Sequence, residues 1–347
     1  MHRMPILRTS DRLAWAALLI AAAAIGSVAA ADGSAASTHR AARNNPTEPQ
    51  QWLDRMNAAL SMRNYDGVFS HVQNGEIETL RIIHRVVGSQ VMERLVSLDG
   101  SGREFIRTGS ELACYLPDEH RVLIEREPEQ SLLLGNLPRF GAATRRFYDI
   151  HLGRRGRLIG HPAQLVVVIP RDQYRYGYRL WIDDASGMPL KTQVCDGRGR
   201  VIEQVVFASL VTPRVIPDSA FRPDMSTAGF ITMRQTPMTP DGAAAADSWN
   251  ALRLPPGFHM SVRTEQAIPG AAGPVEHIVY TDGIATVSVF VEAHMHPEHT
   301  VLGSTQFGSS STYATVIDGH PVTAVGEVPP LTVRFIASSV QARSSGR

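Results

Sequence analysis

The sequence predicts an α+β protein, mostly β, built as two modules. Short alternating apolar runs recur every 8 to 12 residues or so, broken by Asn-Gly, Asp-Gly and Gly-Ser, the pattern of an antiparallel meander. A single amphipathic stretch, TEPQQWLDRMNAALSMRN, stands ahead of them. After Pro223 the composition turns Ala-, Thr-, Pro- and Met-rich without a period before alternation resumes, which divides the chain. With 347 residues and 43% hydrophobic content there is enough apolar surface for two cores at about 150 residues per domain.

Taken in order, residues 1–31 read as a secretory signal peptide. Arg3, Arg8 and Arg12 precede an apolar run from Leu13 to Ile25, and small residues lead to cleavage before Asp32. That run is shorter than the roughly 20 residues a membrane-spanning helix needs. With no Cys at the cleavage point, the expectation is an exported, periplasmic protein that is not a lipoprotein. Residues 32–46 form a flexible leader. The first module, residues 47–223, opens with a helix that Thr47 and Gln50 cap, with Pro49 in its first turn. Trp52, Leu53, Met56 and Leu60 make its apolar stripe.

Strands follow at YDGVFSHVQ, IETLRIIHRV, QVMERLVSL, REFIRTG, ELACYL and RVLIE, then a helical or irregular pause from Pro128 to Tyr148. Strands resume at AQLVVVIPRD, YRYGYRLWID, PLKTQV and VIEQVVFASLV. In YRYGYRLWID, alternation puts Tyr174, Tyr176, Tyr178, Leu180 and Ile182 on one face, and Arg175, Arg179, Trp181 and Asp183 on the other, with the arginine heads in water. Residues 224–247 read as a linker. The second module, residues 248–342, contains a hairpin turning at Asp282-Gly283 and a helix pre-set by Pro329 and Pro330, with Leu331, Phe335 and Val340 as its buried side.

Charge and motifs exclude more than they identify. A net charge of +1 gives no global field to recruit nucleic acid. Hydrolase elbows, zincin helices and Walker loops are absent from the sequence, and DGRGR at 196–200 is explained by a turn between strands, so no catalytic residue is assigned and no cofactor is expected. His294, His296 and His299 form the one metal-like cluster, but the pattern is more readily that of a solvated strand end with histidines in a loop, and no metal is assigned to it. Cys114 and Cys195 could bridge in an oxidising compartment, but alternation puts Cys114 on an apolar face and Cys195 on a polar one, which favours two unpaired thiols.

The order of these pieces resembles the RseB/MucB family of periplasmic regulators, from residue 48 to about 341. The most specific marks are RLWID with its G-x-PLK turn, and VYTDG…SVFVE with the GEVPP helix start. The resemblance implies a first module like the lipoprotein carrier LolA and the lipoprotein LppX, a half-open antiparallel β-barrel with helices plugging its concave side. It implies a protein that binds the periplasmic part of an RseA/MucA-type anti-sigma factor and shields it from proteolysis, so holding back a sigma-E/AlgU-type envelope-stress response. Release would follow when a lipid, lipopolysaccharide or lipoprotein is sensed; the alternative is a LolA-type carrier. On this reading the partner-binding candidates are Tyr280, Phe290, Val291, Pro329, Pro330 and Leu331. The lipid-facing candidates are Trp52, Met56, Tyr174, Tyr176 and Tyr178. Monomer and homodimer both stay open.

Overall fold

The computed structural model describes residues 48–100, 102–126, 140–141, 145–235, 249–267, 273–293 and 302–342. The signal peptide, the leader, most of the 128–148 pause, the second half of the linker and the histidine cluster at 294–299 lie outside the described residues.

Helix α1 (Pro49–Met62) starts with Pro49 at its first position, where the missing N–H costs nothing, and Glu48 rather than Thr47 is its N-cap residue. The first module then runs β1 (Tyr65–Gln73), β2 (Glu76–Val87), β3 (Gln90–Ser97), β4 (Glu104–Thr108), β5 (Glu111–Leu116), β6 (Arg121–Arg126), β7 (Tyr148–Leu158), β8 (His161–Pro170), β9 (Gly177–Asp183), β10 (Pro189–Cys195), β11 (Val201–Val211) and β12 (Ile231–Gln235). All twelve belong to one sheet, ordered β12-β6-β5-β4-β3-β2-β1-β11-β10-β9-β8-β7. Two meanders are joined through the antiparallel β1–β11 pair, and the edges β12 and β7 do not meet, so the barrel is half open. β12 is the exception to antiparallel pairing: it runs parallel to β6, with Ile231 opposite Arg121. The stretch read as the start of a linker is therefore built into the sheet edge.

α1 lies on the concave face. Trp52, Leu53, Met56 and Leu60 are fully buried against Tyr178, Leu180 and Ile182. At about 1.5–3 kcal/mol for each large apolar side chain removed from water, these four contribute about 6–12 kcal/mol to docking the helix. Both faces of β2 are covered. Ile82 joins the concave core, while Ile83 packs outside against Ile216 and Phe221 of the segment that leaves β11. Ion pairs fasten that segment down: Arg85 to Asp218 at 2.6 Å and Arg94 to Asp224 at 2.6 Å, with Arg94 also on buried Glu104 at 2.8 Å.

The second module contains β13 (Trp249–Ala251), β14 (His259–Ala267), β15 (Pro274–Thr281), β16 (Thr286–Glu292), β17 (Gly303–Phe307), β18 (Ser310–Ile317), β19 (His320–Gly326), helix α2 (Pro330–Ala337) and β20 (Val340–Ala342). A six-stranded antiparallel sheet, β14-β15-β16-β19-β18-β17, packs against α2, and β13 pairs with β20. The buried side of α2 is Thr332, Val333, Ile336 and Ala337, whereas Leu331 is 42% exposed and Phe335 half-buried. With Pro330 as the first helical residue, the apolar stripe falls one position away from the expected Leu331–Phe335 line; Val340 is buried, but from β20.

The cysteines are unpaired and both buried. Cys195 departs from its expected polar face because the β10–β11 register shifts between Val194 and Cys195, and that bulge turns the thiol inward. Burial pushes the Cys114 thiol up to about 12, so it stays protonated and inert.

Candidate functional site

β9 and the turn before it bring the sequence candidates together. Tyr176 and Tyr178 are buried on the concave face with Trp52 and Met56, and the Tyr178 ring meets Phe140 edge-on at 5.4 Å. Tyr174 is not on that strand. The Asp172 carboxylate accepts the Tyr174 backbone N–H at 3.0 Å, forming a local turn, and β9 begins only at Gly177. The Tyr174 ring instead packs on Phe335 of α2 at 5.4 Å, and its carbonyl accepts a hydrogen bond from the Thr332 hydroxyl at 2.8 Å. Tyr174 is thus a contact between the modules.

Its neighbour Arg175 overturns the expectation of a solvated head: the side chain is 0% exposed. Its Nε donates to Asp282 Oδ2 at 2.5 Å and an Nη donates to the Pro256 carbonyl at 2.5 Å, while another pairs with Asp172. The guanidinium also lies 4.3 Å from the Phe147 ring centroid and 5.1 Å from that of Phe258. A fork with five donors between two aromatic faces is a role for arginine that a lysine point charge does not fill. On the second-module side, Asp282 uses its other oxygen, Oδ1, to accept the backbone N–H groups of Ile284 and Ala285 in the β15–β16 turn. Gly257 completes the socket. Its φ is +85°, and a Cβ there would stand 2.1 Å from Phe147 Cζ.

A second, polar contact lies at the other end of the junction. Glu203 on β11 accepts the Ser309 backbone N–H at 3.1 Å and bonds His71 Nε2 at 2.8 Å. The β17–β18 turn is also held by Asn74, which accepts the Gly308 N–H, and by Gln73, which donates to the Phe307 carbonyl. Gln306 donates to the Tyr176 hydroxyl at 3.2 Å, so this contact too reaches the concave core. A cleft of about 460 Å³ opens beside it, lined by Val72, Gly75, Ile202, Gln204, Gln306 and Gly308. Burial pulls the Glu203 carboxyl up, but its bonds to His71 and Ser309 outweigh this and hold it below its ordinary range. Half-buried Glu327, after β19, is pushed up to about 8 by desolvation and by the Glu203 carboxylate.

The partner-binding candidates divide. Tyr280, Phe290 and Val291 are buried: Tyr280 accepts the Ala251 N–H on its hydroxyl at 2.7 Å, and Phe290 stacks on His277 at 4.4 Å. All three are taken up in packing within the second module and offer little exposed surface. Pro329 and Pro330 are half-buried, and Leu331 is exposed. Among the described residues no group of three His, Cys, Asp or Glu is placed to hold a metal ion, and no described helix is long and apolar enough to cross a membrane.

Comparison with known proteins covers both modules. Residues 48–225 match the MucB/RseB N-terminal domain family and residues 243–341 the MucB/RseB C-terminal domain family. The chain is 30% identical over 306 residues to the sigma factor AlgU regulatory protein MucB of Pseudomonas aeruginosa, covering 86% of this chain and 93% of that one. It is 26% identical over 296 residues to the sigma-E factor regulatory protein RseB of Escherichia coli K12, covering 83% and 89%. Among solved structures, it resembles the MucA/MucB complex of Pseudomonas aeruginosa at a TM-score of 0.66 with 27% identity, over 86% of this chain and 99% of that one. MucB in complex with the periplasmic part of MucA gives 0.65, over 86% and 100%. These are regulatory binding proteins, and on matches to both of its modules this chain belongs to the MucB/RseB family.

Proposed function

We propose that this chain is a periplasmic regulator of an envelope-stress sigma factor. It binds the periplasmic part of a membrane anti-sigma factor, shields it from proteolysis, and releases it when lipid-like or misassembled outer-membrane components are sensed. The observation that carries this reading is the two-module match to MucB as found in its complex with MucA, over 86% of the chain. A carrier of the LolA type needs only the first module; the second module, joined to it through buried charge, is what a carrier does not explain.

The junction supplies a physical route between sensing and binding. Tyr178 in the concave core and Arg175 in the socket are three residues apart on one continuous stretch. A ligand that displaces α1 or the aromatic layer beneath it moves β9 and, with it, the preceding turn that seats Arg175 against Asp282. Ligand occupancy then shifts the arrangement of the modules by as much as the ligand prefers one arrangement over the other. In this reading Trp52, Met56, Tyr176 and Tyr178 face the ligand and Tyr174 transmits; Leu331, with Pro329 and Pro330, is the accessible part of the partner-binding candidates.

Calorimetric titration of the mature protein with the periplasmic segment of its host's anti-sigma factor tests this, alongside a truncated chain ending at Gln235, which retains β12. Binding by the whole protein that is lost on truncation supports the regulator. Failure of the whole protein to bind, with uptake of a fluorescent fatty acid by the first module, leaves the carrier.

A further inference from the structure

Among the described residues strand β7 is a long edge of the large sheet, paired on one side only, and its charge is one-sided. Between residues 145 and 171 stand six arginines, Arg145, Arg146, Arg154, Arg155, Arg157 and Arg171, and one carboxylate, Asp149, in a chain whose total is only +1. Asp149 holds Arg171 at 2.7 Å, and Asp184 holds Arg155. Arg145, Arg146, Arg154 and Arg157 pair with no carboxylate among the described residues, and all four are exposed. Arg154 lies over the Trp181 ring at 5.7 Å, and Arg157 donates to the Gly160 carbonyl at 2.6 Å, so both stems are braced while the charge stays at the surface. Two apolar side chains are exposed in the same ribbon, Leu152 at 36% and Ile169 at 48%.

Guarding an exposed edge against strand pairing also calls for charge. That task is indifferent to sign, however, and mixed charges serve it as well; six cations against Asp149 and Asp184 leave four arginines unneutralised, a field and not merely a guard. The cations form two groups at the ends of this edge, Arg145, Arg146 and Arg171 where β7 begins and Arg154, Arg155 and Arg157 towards its far end, with about 35 Å of strand from one end of β7 to the other. Two groups of exposed cations at the ends of one edge suit an extended anionic plane better than a point ligand, and exposed Leu152 and Ile169 along the edge suit the headgroup boundary of a bilayer.

We propose that the β7 edge docks this protein on an anionic phospholipid bilayer. Docking is a surface property of the first module and does not depend on what the second module binds. If the regulator reading holds, it also concentrates the protein where a membrane-embedded partner resides.

The test is co-sedimentation of the mature protein with vesicles of phosphatidylcholine alone and of phosphatidylcholine mixed with phosphatidylglycerol, at low ionic strength and near physiological salt. The protein should partition onto the anionic vesicles only, and more weakly as salt rises. Each neutralised arginine should lower the partition coefficient about fivefold, and the combined variant Arg145→Gln, Arg146→Gln, Arg154→Gln, Arg157→Gln about 600-fold. Since Arg146 adjoins Phe147 in the junction, the pair Arg154→Gln, Arg157→Gln serves as a second variant, with an expected loss of about 25-fold. Equal partition onto both vesicle types, or a variant that binds as the parent does, overturns the proposal. So does a variant that loses the anti-sigma segment while the parent never binds vesicles, which would make an acidic peptide the occupant.

Discussion

Replacing Arg175 by alanine should separate the two modules without unfolding either. Among the described residues the guanidinium is the one charge that satisfies Asp282 Oδ2 across the junction, and both side chains are 0% exposed. Its loss leaves a buried carboxylate oxygen unpartnered and a void between Phe147 and Phe258. Breaking a buried pair from one side costs about 3–5 kcal/mol, of which the ring contacts account for about 1. Asp282 Oδ1 still caps its own hairpin turn, so the second module keeps its fold. The cost falls on module docking. The parent should unfold in urea as one transition and Arg175→Ala as two, with an enlarged radius of gyration by small-angle scattering before either. Arg175→Lys should behave nearly as badly, since one ammonium cannot reach Asp172, Asp282 and the Pro256 carbonyl together. A single transition within about 0.5 kcal/mol of the parent, with unchanged scattering, would refute the assignment of Arg175 as the junction's main fastening.

Gly257→Ala should also open the junction, because its Cβ would overlap the Phe147 ring; adding Phe147→Ala should recover part of the loss, leaving about 1 kcal/mol for the left-handed backbone, read from a double-mutant cycle of melting curves. Acidification should weaken the fold through His84 and His277, which burial lowers from 6.5 to about 4. Between those values the unfolded chain binds protons that the folded one does not, so stability falls as pH drops through that window, by up to about 3 kcal/mol for each histidine. Glu327, raised to about 8, works in the opposite sense, losing stability as pH rises, so the informative comparison is with His277→Leu, whose urea midpoint should fall less between pH 6.5 and 4; an identical slope in both proteins would remove His277 from the account.

Much of the fold was legible because period-2 alternation survives wherever one face of a strand is buried. β1, β5 and β11 coincide with the runs YDGVFSHVQ, ELACYL and VIEQVVFASLV, and the stripe Trp52, Leu53, Met56, Leu60 is the buried side of α1. β7 escaped because HLGRRGRL has no apolar alternation: its residues from His151 to Arg157 are exposed or half-exposed on an edge. β12 escaped because a short strand pairing through its backbone with β6 needs no apolar face of its own, and Ile231 and Met233 are exposed. The inward turn of Cys195 follows from a one-residue register shift, which alternation along a single strand does not encode.

The site was legible on its concave side and not at the junction, and Arg175 shows why. Alternation sets it on the opposite side from Tyr176 and Tyr178, where the usual consequence for an arginine is water, but the residue sits in the turn before β9 and not on the strand. What reverses that consequence is Asp282, 107 residues away, and the Pro256 carbonyl, 81 residues away. Neither leaves a trace in the local pattern. Asp282-Gly283 reads completely as a hairpin turn, and a turn needs only one of the aspartate's two oxygens. The second oxygen is where the modules meet. A residue type that satisfies a local rule while holding unused hydrogen-bonding capacity is therefore where a long-range contact can be added without disturbing the local structure. Asp172 is another case: one oxygen builds the Tyr174 turn and the other pairs with Arg175. Both turns fold for local reasons, and only their assembled positions make the socket that links the concave core to the second module.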